Sequence, residues 1–165
     1  MNNINITLPD NSVKTFPEGI TAQEVANSIG SGLARAVVVA KIDGVLKDLN
    51  YKIFKDSSLE LFTGDTPEGH DTLLHSTAHL MAQAVKALYP DAKVTIGPTI
   101  ENGFYYDFDL DVSFSEDSLI SIENKMKELS KKNQEIFRYE VSASEAVSIF
   151  EKMGESYKVE IVGQI

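Results

Sequence analysis

The sequence predicts an α+β protein in two parts, on three observations. The first sixty or so residues alternate apolar and polar positions, as short strands do, around one amphipathic stretch. A polar segment containing Gly and Pro, T-G-D-T-P-E-G-H at 63–70, then interrupts the pattern. Beyond it, long helical periodicities mix with short β-like runs. At 165 residues and 42% apolar content the chain can build one or two ordinary packed cores.

In the first part, Ile4, Ile6 and Leu8 share one face of a strand. Pro9-Asp10-Asn11-Ser12 turns the chain and residues 13–16 return, which is a hairpin pattern. Thr21-Ala22-Gln23-Glu24 is a capping box, opening a helix with Ala22, Val25 and Ile29 as its apolar stripe and Gly30 as its end. Residues 36–42 form a nearly continuous apolar run rich in β-branched side chains, the pattern of a buried strand. Asp43-Gly44 is a strong turn signal and leads into residues 45–48. Residues 59–62 close the unit as a last strand. The order β-β-α-β-β plus a closing strand describes a small β-grasp-like sheet over one helix, placed at residues 1–63. Residues 64–71 read as a linker and residues 72–165 as a second domain.

In the second part, residues 72–89 read as a long helix ended by Pro90. Leu73, Leu74, Thr77, Leu80, Met81, Ala84, Val85 and Leu88 cover one broad side. His75, His79, Ala82 and Lys86 lie along another. Residues 94–100 and 103–110 predict two strands joined by Glu101-Asn102. A charged amphipathic helix follows over 116–134, with Leu119, Ile122, Met126 and Leu129 at helical spacing. Residues 138–141 predict a short strand. Ser142-Ala143-Ser144-Glu145 is a second capping box, opening a helix through Met153 that Gly154 terminates. Residues 157–162 predict a strand. No finishing element follows it, so the expectation is a domain cut short.

Fifteen basic residues against twenty-five acidic ones give a net charge of −10. Non-specific nucleic-acid binding relies on Lys and Arg neutralising phosphates, so these residues alone are expected to bind RNA poorly. The absence of cysteine excludes a disulfide scaffold, thiolate metal sites and a thiol nucleophile within the chain. No run approaches a membrane span, and the start lacks the basic and apolar pattern of an export signal. A cytoplasmic protein is expected.

The chemistry concentrates on His75 and His79. Residues four apart on a helix are neighbours, so both imidazoles can converge on one ligand. As a bare H-x-x-x-H, the pair reads equally as a solvated helix face. Ser76 stands where a zincin protease carries its general-base Glu, and two imidazoles leave a zinc ion short of ligands. Asp107, Asp109 and Asp111 alternate as the wet face of a half-buried strand does, which we favour over a divalent-ion site. Gly97-Pro98 and Asn102-Gly103 read as turns, although Gly also permits close backbone approach to a ligand. Tyr105 and Tyr106 face opposite ways in a strand, so at most one reaches a pocket shared with the histidines. Lys158, by pattern alone, is a surface lysine.

Together these segments resemble the N-terminal region of the bacterial threonyl-tRNA synthetase family. I-T-L-P-D at 6–10, S-I-G-S-G-L-A at 28–34 and the Asp43-Gly44 hairpin are similar to its ubiquitin-like TGS domain. H-S-T-A-H-L at 75–80, I-G-P at 96–98, N-G-F-Y-Y-D at 102–107 and G-E-S-Y-K at 154–158 follow the order of its editing domain. The resemblance implies a TGS β-grasp domain followed by an α+β editing domain with an antiparallel sheet. It implies proofreading: the parent ligase attaches threonine to its tRNA using ATP, and a second site hydrolyses mischarged seryl-tRNA at its 3′ end. His75, His79 and Lys158 then match editing residues, with Gly97, Pro98, Gly103, Tyr105, Tyr106 and Asp107 as pocket candidates and no metal. The family's editing site is completed by a later Asp, Cys and His segment, and this chain has no Cys. The expectation is an inactive N-terminal piece with weak or absent tRNA binding and no cofactor. Zn2+ and ATP with Mg2+ would belong to the parent's catalytic domain, and the parent is expected to be a homodimer. The competing readings are a TGS-containing binding or regulatory module without catalysis, and a histidine-based metal hydrolase.

Overall fold

Alternation in the first strand, β1 (Asn3–Thr7), buries Ile4 and Ile6 and leaves Asn3 and Asn5 outside. The structure, a computed structural model, describes residues 2–164. It divides into two compact units, Met1–Leu73 and Leu74–Ile165.

In the first unit β1 pairs antiparallel with β2 (Val13–Pro17), Ile4 opposite Phe16. The turn between them is held by Asp10, which accepts from the Ser12 N–H at 2.9 Å and the Ser12 hydroxyl at 2.6 Å. After β3 (Ile20–Thr21), helix α1 (Ala22–Ile29) opens on the expected capping box. The Thr21 oxygen accepts from the Glu24 N–H at 3.2 Å while the Glu24 carboxylate accepts from the Thr21 N–H at 2.8 Å. A short helix α2 (Ser31–Ala36) follows, which the sequence does not predict, so the buried strand starts one residue late as β4 (Val37–Ile42). Asp43 and Gly44 both take positive φ, 49° and 80°, and return the chain as β5 (Val45–Lys47). β6 (Lys52–Ile53) pairs with β3, and β7 (Ser57–Thr63) completes the main sheet in the order β2-β1-β7-β4-β5. Only β1 and β7 run parallel within it. Helix α1 lays Ala22 and Val25 on Ile4, Ile6, Ala40, Ile42, Ile53 and Leu59, and that cluster is the core. The α+β class with a β-grasp first unit is as expected.

The segment expected as a linker is half helical. Thr66 donates its hydroxyl to the Thr63 carbonyl at 2.7 Å and accepts from the Gly69 N–H at 3.2 Å, which caps helix α3 (Pro67–Leu88). Pro67 takes the first helical position, where its missing N–H costs nothing.

In the second unit α3 contributes Met81, Ala84 and Val85 to a core with Ala92, Phe108, Phe114, Ile122, Met126 and Leu129. The buried side is narrower and smaller than predicted: Ala78 and Ala82 are buried, whereas Leu88 is exposed. The two long strands expected over 94–110 are instead four short pieces. β8 (Lys93–Val94) pairs with β11 (Phe108–Asp109), and β9 (Thr99–Ile100) pairs with β10 (Gly103–Phe104) about the Glu101-Asn102 turn. Pro98 has no N–H to offer, and Gly97 lies against an aromatic ring, so the ladder is irregular between the two pairs.

Helix α4 (Glu116–Lys131) follows the predicted spacing at Ile122, Met126 and Leu129, but Leu119 is exposed. Residues 138–141 form no strand, and all are exposed with no neighbouring ladder. Ser142 caps helix α5 (Ala143–Lys152) as predicted, and Gly154 turns the chain with φ 73°. The strand expected over 157–162 is a helix, α6 (Ser156–Val162). Half-buried Val162 lies three residues after Val159 and four after Lys158, both also half-buried, and the helix N–H groups bond within the helix instead of to a strand.

Candidate functional site

Helix α3 places His75 and His79 one turn apart, and their side chains meet. The two Nε2 atoms lie 3.0 Å apart and the rings cross edge-on at 78° with centroids 4.6 Å apart. In such a contact one Nε2 carries the hydrogen and the other accepts it. Buried Ala78 and Ala82 lie beside the pair, so the rings stand at the margin of the packed side of α3 and are not immersed in it.

Burial, then the charge on His75, then the charge on Lys158, hold the His79 imidazole below its ordinary pKa of 6.5. His79 therefore favours the neutral form at physiological pH. Lys158 lies within the electrostatic reach of His79 from the first turns of α6, which packs on α5 and on β8. The structure thus brings together the three residues singled out for chemistry in the sequence.

The pocket candidates divide. Gly97 underlies the ring of Tyr106: a Cβ on Gly97 would sit 2.1 Å from Tyr106 Cδ2, so a hydrogen is required there. Tyr106 also stacks on Phe108, centroids 5.0 Å apart. Burial, and after it the charge of Glu155, raises the Tyr106 hydroxyl above its ordinary value. Tyr105 is half exposed, consistent with the two tyrosines facing opposite ways. Asp107 is an exposed side chain whose backbone carries the irregular ladder, donating to the Ile96 carbonyl at 3.0 Å and accepting from the Thr95 N–H at 3.2 Å. Pro98 is exposed and accepts from the Tyr105 N–H at 3.4 Å. At Gly103 nothing approaches the position of a Cβ, so packing does not demand glycine.

Sequence reasoning did not single out Glu155, which is 4% exposed at the start of α6. It pairs with Lys86 at 3.0 Å, and Lys86 also donates to the Pro90 and Ala92 carbonyls at 3.2 and 2.9 Å. The available signal was positional: Lys86 lies seven residues, two turns, after His79 on the same helical side.

A cleft of about 410 Å³ in this unit is lined by Tyr89, Pro90, Lys93, Asp109, Leu110 and Val112, near the C-terminal end of α3. Asp109 there accepts from the Tyr157 hydroxyl at 3.0 Å, so it does not act as an open carboxylate row with Asp107 and Asp111. Among the described residues no three His, Cys, Asp or Glu side chains converge as a metal site requires. Among them, too, no helix is long and apolar enough to cross a membrane.

Comparison with known proteins adds the family context. Residues 4–63 match the TGS domain. The chain is 51% identical over 162 residues to a threonine–tRNA ligase of Citrifermentans bemidjiense, covering 98% of this chain and 26% of that protein. It is 52% identical over 162 residues to the threonine–tRNA ligase of Cupriavidus pinatubonensis, with the same coverage. It is 52% identical over 157 residues to that of Alkalilimnicola ehrlichii, covering 95% of this chain and 24% of the relative. The chain therefore spans about a quarter of the length of the curated relatives it matches.

Proposed function

Since the chain carries a TGS domain and matches, at about 50% identity over nearly its whole length, the N-terminal region of bacterial threonine–tRNA ligases, we propose that it serves such a ligase in hydrolytic editing. The parent activity in this reading joins threonine to its tRNA with ATP. Serine lacks one methyl group of threonine, and a missing methyl is worth only about 1–3 kcal/mol of discrimination in a pocket. A second site that cleaves the seryl ester corrects the residual error.

The observation that carries this reading is the bonded imidazole pair, with the Lys158 charge within electrostatic reach of His79. Ester hydrolysis needs a proton acceptor for water and positive charge for the developing oxyanion. A neutral imidazole held below its ordinary pKa meets the first need at physiological pH. Lys158 meets the second, either at the ester or at a phosphate of the tRNA end. The Tyr106 hydroxyl, kept protonated by its surroundings, adds a hydrogen-bond donor for the substrate. A metal-hydrolase route finds no third ligand beside the two histidines among the described residues.

The test is deacylation of seryl-tRNA. In a threonine–tRNA ligase carrying this region, His75→Ala or His79→Ala is expected to slow hydrolysis of the seryl ester about 10²–10⁴-fold while threonylation persists. Unchanged deacylation in both variants would overturn the reading. In the 165-residue chain itself, a non-hydrolysable seryl-adenosine analogue is expected to shift NMR signals of His75, His79 and Lys158. Shifts confined to the first unit would favour a binding module instead. The chain alone is expected to hydrolyse the ester only weakly, and rapid turnover by it would contradict that part.

A further inference from the structure

Lys86 and Glu155 have no place in the chemistry above, yet they are the most constrained charged pair in the second unit. The Glu155 side chain is 5% exposed and bonded to Lys86 through Oε1 at 3.0 Å, while its Oε2 has no partner among the described residues. A buried carboxylate with a single cation depends on that cation for its charge balance. Lys86 is in turn held by three acceptors: Glu155, the Pro90 carbonyl and the Ala92 carbonyl. The ammonium therefore has a defined position instead of sweeping a surface arc.

Helix geometry links this pair to the histidines. On α3, His79 and Lys86 are seven residues apart, two turns, and lie on nearly the same side. At the start of α6, Glu155 and Lys158 are three residues apart, and the Lys158 N–H donates to the Glu155 carbonyl at 3.1 Å. The two rows run in opposite senses, Lys86 against Glu155 at one end and His79 within electrostatic reach of Lys158 at the other. Axial separations of about 10.5 Å and about 4.5 Å differ, and the long lysine stems span the difference.

We propose that the Lys86–Glu155 ion pair is a positioning device: it pins the first turn of α6 to α3 so that the Lys158 ammonium faces the imidazole pair. Neither Lys86 nor Glu155 touches the reacting atoms in this scheme. The proposal rests on the editing reading only for what the centre does, not for the geometry. The charged groups that act on His79 are His75 on α3 and Lys158 on α6; Lys86 lies two turns further along α3, and Glu155 at the start of α6 acts in turn on Tyr106. Of the charges, His75 and then Lys158 lower the His79 pKa. In this scheme a change at the pair reaches His79 through the position of Lys158.

The test follows the His79 ring by NMR across a pH titration of the 165-residue protein. Lys158→Met is expected to raise the His79 midpoint toward the ordinary imidazole value, because a positive neighbour is gone. Lys86→Met/Glu155→Met removes the tie without leaving a buried orphan charge, and is expected to raise it too. Adding Lys158→Met to that double variant is expected to produce no further rise. Glu155→Asp, which keeps the charge but shortens the tie, is expected to shift the midpoint in the same direction and serves if the double variant does not fold. A wild-type midpoint in the pair variants, with Lys158→Met still raising it, would overturn the proposal, as would a Lys158→Met variant that leaves His79 unmoved. None of these readouts involves ester hydrolysis, so loss of the editing reading and loss of this one are distinguishable.

Discussion

A single hydrogen between two Nε2 atoms 3.0 Å apart ties the His75 and His79 rings together. The sign of the pair's effect on stability follows from His79. Its pKa is lower folded than unfolded, so the unfolded chain binds the proton more readily. Stability at this position is fully present above the ordinary value of 6.5 and is lost as pH falls from there through the lowered folded value. Urea unfolding followed from about pH 8 to about pH 5 should show this loss, and His79→Gln should remove part of it. A second single-residue prediction concerns Gly97. Gly97→Ala pushes a methyl group into the Tyr106 ring, and the expected cost is about 1–3 kcal/mol of overpacking in urea unfolding. The displaced Tyr106 should then ionise closer to its ordinary value of 10.0, read by its ultraviolet titration.

At the scale of elements, local hydrogen bonds at helix ends and turns set the boundaries. Thr21, Ser115 and Ser142 each cap a helix and are each capped in return. Thr21→Ala should destabilise the first unit by about 1 kcal/mol, and Ser142→Ala should do the same to α5, both measured by denaturant midpoint. The Asp43 turn has an acid signature. The Ser58 N–H holds its carboxyl below the ordinary 3.8 against the opposing effect of burial, and Lys55 and Ser57 add to the lowering. Its contribution is present above that value and fades as pH falls through the lower folded one. Asp43→Asn should flatten the acid limb of the stability curve, since the amide keeps the turn but cannot titrate. Helix α6 shows the opposite lesson about elements. Its valines and isoleucine favour a strand by propensity, yet half-buried Val159 and Val162 lie three apart on one helical side, and a strand there would need a ladder partner for its N–H groups.

For the whole molecule, a net charge of −10 limits what these residues do unaided. Binding of tRNA by the 165-residue chain should be weak and should vanish with modest added salt, which filter binding at two ionic strengths would check. The architecture was legible in the sequence wherever a local signal determined it. The Ile4–Ile6 alternation, the Thr21 and Ser142 capping boxes, the Asp43-Gly44 turn and the His75–His79 spacing all have structures that follow from nearest neighbours in the chain. What sequence alone did not yield depended on distant contacts. Pro67 reads as a linker residue until Thr66 is recognised as the cap before it. The 94–110 strands break around Gly97-Pro98, where Gly97 lies against the ring of Tyr106 nine residues away and Pro98 has no N–H to donate. Glu155 gains its meaning only from Lys86, across sixty-nine residues of chain.

Residues 133–142, without helix or ladder, carry Ile136, Phe137 and Tyr139 largely in solvent. Arg138 sits mid-stretch, paired with Glu140 two residues on. A trypsin-like protease should enter there first. One nick after Arg138 severs the covalent thread between the polypeptide bearing both imidazoles and the one bearing Lys158. Whether the two pieces then co-elute or drift apart on a sizing column measures how firmly the last two helices cling to their seat.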